Sequence, residues 1–60
     1  MDINEELCRI LLTLARREAD LAADLAAEVP YWAPVPPAVG AHRASASVLR
    51  SEAERLARAS

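Results

Sequence analysis

The chain has 60 residues, 53% of them apolar, and a formal net charge of −2 from nine carboxylates and seven arginines, with no lysine. A chain this short buries only about 60% of the surface its unfolded form exposes, and 14 of its apolar residues are Ala, so few side chains are large enough to fill a core. One Cys excludes an internal disulfide, the lack of Lys excludes a Schiff-base lysine or a P-loop, and a single Gly excludes a glycine-rich phosphate cradle.

Residues 3–28 read as a helix. Leu7, Leu11, Leu14, Glu18, Leu21 and Leu25 are spaced 4-3-4-3-4, a heptad seam interrupted once by a carboxylate. Ile3, Cys8, Ile10, Ala15 and Ala22 widen that seam into a stripe suited to more than one neighbour. Asp2 with Glu5 three residues on suggests a capping box, and Ala, Leu, Glu and Arg are all strong helix formers.

Residues 29–37, Val-Pro-Tyr-Trp-Ala-Pro-Val-Pro-Pro, hold all four prolines of the chain. Proline breaks a helix interior and pushes the residue before it into extended conformation, so this segment reads as a stiff connector. Pro37 suits the first position of a following helix, where a missing N–H costs nothing.

Residues 38–59 return to helical period, with Val39, His42, Ala46, Leu49, Ala53 and Leu56 spaced 3-4-3-4-3. Pairing the two seams antiparallel predicts layers of Leu25 with Val39, Leu21 with His42, Glu18 with Ala46, Leu14 with Leu49, Leu11 with Ala53, and Leu7 with Leu56. Charge agrees: residues 1–28 carry seven acids and three Arg, the remainder two acids and four Arg. The expected fold is all-α, one antiparallel helical hairpin over residues 1–60. Two helices leave Ile3, Ile10, Leu12 and Val48 off the seam, so these residues are expected to form an oligomer interface, two hairpins pairing into a four-helix bundle.

Few residues carry chemistry. Glu18 and His42 sit about a turn apart across the hairpin and could act as a general base or half of a metal site. One His and no Glu-x-x-His repeat favour a polar layer that fixes register instead. Tyr31 and Trp32, the only aromatics, either anchor a partner from the stiff connector or fold back over Leu25 and Val39. Cys8 reads as a small buried apolar residue, and Asp20, Asp24 and Glu28 as a solvated acidic row. Arg43, Arg50, Arg55 and Arg58 could grip nucleic-acid phosphates. The acidic whole-chain balance argues against nucleic acid, and pairs such as Arg50–Glu54 and Glu54–Arg58 would serve as a surface lattice.

The expectation is a non-catalytic protein–protein interaction or assembly module with no cofactor and no metal. It would associate with itself as a homodimer, or dock as a small subunit on a larger protein. The alternatives are a small dimeric nucleic-acid-binding regulator and a small inhibitor of the antitoxin type. No apolar run approaches the ~20 residues of a membrane span. The acidic start of the chain does not resemble a secretory signal, and with one free Cys this points to the cytoplasm.

Overall fold

The structure is a computed structural model and describes residues 2–59. Two helices, α1 (Ile3–Ala27) and α2 (Pro37–Ala59), pack against each other along their length, and no strand occurs among the described residues. The molecule measures 49 × 15 × 12 Å, with a radius of gyration of 14.3 Å. A compact chain of this length would have a radius near 10 Å. This one is a rod two helices wide and one helix thick, so no side chain lies far from solvent.

Local chemistry sets the helix ends. Asp2, in extended conformation, caps α1 by accepting from the Asn4 N–H at 3.0 Å, and its own carbonyl accepts from the Glu6 N–H at 3.1 Å. At the other end Pro30 bars Val29 from continuing the helix. The last turn tightens instead, with the Glu28 N–H reaching the Leu25 carbonyl at 3.3 Å and the Val29 N–H the Ala26 carbonyl at 3.1 Å. The connector spans residues 28–36, and Pro37 is the first residue of α2.

The core is built almost wholly of alanine. Ala15 and Ala22 of α1 and Val39, Ala46 and Ala53 of α2 are buried, and only Val39 among the fully buried side chains is larger than Ala. The α2 seam is the expected one, with His42, Leu49 and Leu56 half-buried between those positions. The α1 seam is not. It runs through Cys8, Leu11, Ala15, Glu18, Ala22 and Leu25, whereas the expected seam residues Leu7, Leu14 and Leu21 are 42%, 37% and 40% exposed.

Both lines have heptad spacing and share Leu11, Glu18 and Leu25. What separates them is size. Alanine at the contact lets two helix backbones approach closely, and the Cys8 thiol on α1 lies 3.1 Å from the Ala53 carbonyl of α2. Leu7, Leu14 and Leu21 are displaced to the flank.

The register differs too. Cys8 meets Ala53, and Glu18 meets His42, where the seam pairing placed Leu11 opposite Ala53 and Glu18 opposite Ala46. The slip is three to four residues, about one helical turn. A shift of that size preserves a heptad pattern, so spacing alone does not detect it.

Candidate functional site

The hairpin has two broad faces, one on each side of the alanine seam. On the first, α1 presents Ile3, Leu7, Ile10, Leu14 and Leu21 at spacings of 4, 3, 4 and 7, all of them exposed. From α2, Val48, 63% exposed, joins Leu14 and Leu49 in lining a shallow groove that Glu18 and Arg17 border. Of the four residues expected at an oligomer interface, Ile3, Ile10 and Val48 belong to this side. Leu12 does not: it lies across the seam, in hollows shared with Arg9, Arg16 and Arg50.

Glu18 and His42 interrupt the seam on its apolar side. The His42 Nδ1 lies 3.3 Å from both carboxylate oxygens, and the two side chains are 24% and 31% exposed, the carboxylate being the less exposed. With a proton on Nδ1 the ring donates to the carboxylate, which satisfies two half-buried polar groups where the helices meet. Among the described residues no three His, Cys, Asp or Glu side chains are grouped to hold a metal. Cys8 donates to the Ala53 carbonyl. It lies ten residues from Glu18 along α1, roughly 15 Å from the imidazole, so the thiol and His42 do not form a pair.

The connector places the aromatics outside. The Ala33 N–H bonds the Pro30 carbonyl at 3.0 Å, making Tyr31 and Trp32 the middle residues of a tight turn. Tyr31 is 100% exposed and Trp32 75% exposed, so they do not fold back over Leu25 and Val39. Val35, beyond them, is 60% exposed.

The arginines divide in a way that spacing on α2 alone does not reveal. Arg55 bonds Glu52 at 2.6 Å, and Arg9 lies 3.9 Å from Glu6. Neither Arg50–Glu54 nor Glu54–Arg58 is an ion pair among the described residues, so the expected i,i+4 lattice is replaced by these two i,i+3 contacts. Arg43 and Arg50 lie on the second broad face, where α1 adds Arg16, with Arg9 at its outer edge between Leu12 on this side and Ile10 and Leu14 on the other. Reading α2 in isolation misses those two. Their signal was present, since Arg9 and Arg16 are seven residues apart on the flank of the α1 seam, as Arg43 and Arg50 are on α2.

The chain matches no protein-family model, and no curated protein or solved structure is similar to it. Among the described residues no helix is long and apolar enough to cross a membrane.

Proposed function

We propose that the protein is a non-catalytic assembly module that pairs through its apolar face with a second copy of itself, making a four-helix bundle. One observation carries this reading: five large aliphatic side chains of α1, Ile3, Leu7, Ile10, Leu14 and Leu21, lie outside the hairpin in one line, while alanine takes the buried α1 positions of the seam. Burying a Leu or Ile side chain is worth about 1.5–3 kcal/mol. Leaving five of them wet beside a core of five small residues is a poor arrangement for an isolated rod.

A two-fold axis through this face would set the stripe against its own copy, the self-complementary contact that closed dimers use. The Glu18–His42 pair at its edge would then be the polar layer that selects one register. Tyr31 and Trp32 remain outside such a bundle, on a stiff turn, as anchors for a further protein. The free Cys8 fits a reducing, cytoplasmic setting.

The test is native molar mass against concentration, with circular dichroism on the same samples. A helical dimer that persists at micromolar concentration is expected, and Leu14→Glu should convert it to monomer. A well-folded monomer at all concentrations would defeat the proposal. A poorly helical monomer would instead assign the apolar face to a larger protein, on which this chain docks as a small subunit.

A further inference from the structure

We infer that the arginine-lined side of the hairpin is a binding surface for the phosphodiester backbone of a double-stranded nucleic acid. The inference is independent of what covers the apolar face. Three adjoining hollows run along this side. The first is lined by Arg9, Leu12, Thr13 and Arg16; the second shares Leu12 and Arg16 with it and adds Arg50; the third shares Arg50 with the second and adds Arg43. No carboxylate lines any of them. The whole-chain charge of −2 therefore hides a surface carrying four arginines. Arg16, Arg43 and Arg50 make no ion pair among the described residues, and Arg9 makes only the exposed 3.9 Å contact to Glu6.

The antiparallel register sets their spacing. With Cys8 opposite Ala53 and Glu18 opposite His42, Arg50 is level with residues 10–11 of α1 and Arg43 with residues 17–18. The arginines follow one another along this side, Arg9 and Arg16 about 10 Å apart on α1, Arg16 sharing a hollow with Arg50, and Arg50 sharing the next with Arg43, over a span of about 13 Å along the rod. A duplex strand carries one phosphate per ~3.4 Å of axis, so the surface spans about four phosphates of a strand. Guanidinium forks match phosphate oxygens in a bidentate way. Ala15 and Ala19 lie beside Arg16 and Arg50, and Ala22 and Ala46 beside Arg50 and Arg43, all small enough for a backbone to approach.

The same composition disfavours a protein partner here. Arginine also anchors protein interfaces, but in well-packed, desolvated centres, and the lining of these hollows offers one large apolar residue, Leu12, to build such a centre, whereas nucleic-acid interfaces are polar and strongly basic. It also lacks an aromatic ring on which unpaired bases could stack. The surface is suited to a duplex backbone, read without regard to sequence.

The experiment is fluorescence anisotropy of a labelled duplex of about 20 base pairs, titrated with the full chain at several salt concentrations from about 50 mM upward. Four phosphate contacts predict a slope of log affinity against log salt near −3.6, falling to about −1.8 in the Arg16→Gln, Arg43→Gln double variant. Arg55→Gln and Arg58→Gln should leave the slope unchanged. If the double variant loses helicity, Arg16→Lys with Arg43→Lys must keep the wild-type slope. No binding at low salt, a wild-type slope shallower than about −2, or equal loss in the Arg55 and Arg58 variants overturns the inference. Competition by poly-glutamate as effective as by unlabelled duplex also overturns it, and assigns the surface to an acidic protein.

Discussion

Val39 shows how much this fold asks of single residues. Among the described residues it is the one fully buried side chain larger than alanine, and it sits in the first turn of α2, where the connector delivers the chain back onto α1. Val39→Ala removes two fully buried methyl groups and leaves a void in their place, a loss of about 2 kcal/mol. In a domain this small each kcal/mol moves the thermal midpoint by roughly 4–8 °C. Circular-dichroism melting should therefore show a drop of about 10 °C, measured at one fixed protein concentration because association also shifts the midpoint. An unchanged midpoint would mean that Val39 is not the keystone its burial implies. The Glu18–His42 pair poses the opposite case. Glu18→Leu with His42→Leu exchanges both half-buried polar groups for apolar surface and should raise the midpoint while broadening the distribution of association states, since a polar seam layer trades stability for register. A single sharp dimer mass in that variant would show that the pair does not select register.

At the scale of elements, caps, prolines and composition set where the helices begin and end, and packing of one on the other holds them. Both are long, α1 at 25 residues and α2 at 23, and rich in strong helix formers. Asp2 starts α1, Pro30 stops it, and Pro37 opens α2 at the position where proline is best tolerated. Gly40 is the weak point. It lies within the first turns of α2, its backbone is not left-handed, and a methyl group added there would meet nothing within 4 Å. Gly40→Ala should thus gain up to about 1 kcal/mol from helix propensity alone. The expected result is a rise of several degrees in the same melting experiment, with no change in molar mass. A fall would show that the open space beside Gly40 is occupied in the assembled protein.

At the scale of the whole molecule, the rod sorts its side chains into two unlike surfaces. Ile3, Leu7, Ile10, Leu14 and Leu21 of α1 gather on one side with Val48 and Leu49, Arg16, Arg43 and Arg50 gather on the other, and Arg9 stands on the outer edge between them. Each surface combines residues from both helices, and that sorting requires the antiparallel turn. The mass measurement and the salt-dependence measurement therefore interrogate different faces. Leu14→Glu should abolish pairing without removing an arginine, and the Arg16, Arg43 variant should weaken duplex binding without touching the aliphatic line.

Much of this was readable in the sequence. Proline placement, heptad spacing and helix-forming composition determined two helices and a stiff connector, with boundaries within a residue of those observed. The α2 seam was legible for the same reason: its apolar positions form only one stripe. On α1 two heptad lines overlap, through Leu7, Leu14 and Leu21 or through Cys8, Ala15 and Ala22. Hydrophobic pattern favours the first because leucine is the more apolar residue. Only the packed pair decided for the second, because close approach of two backbones rewards small side chains at the contact. The same packing set the register one turn away from the seam-matched one and brought Arg16 beside Arg50, while the turn over residues 30–33 left Tyr31 and Trp32 outside. Periodicity records which residues of one helix share a face. Which face meets the other helix, and at what height, depends on side-chain size across the contact, a property of the pair that neither helix carries alone.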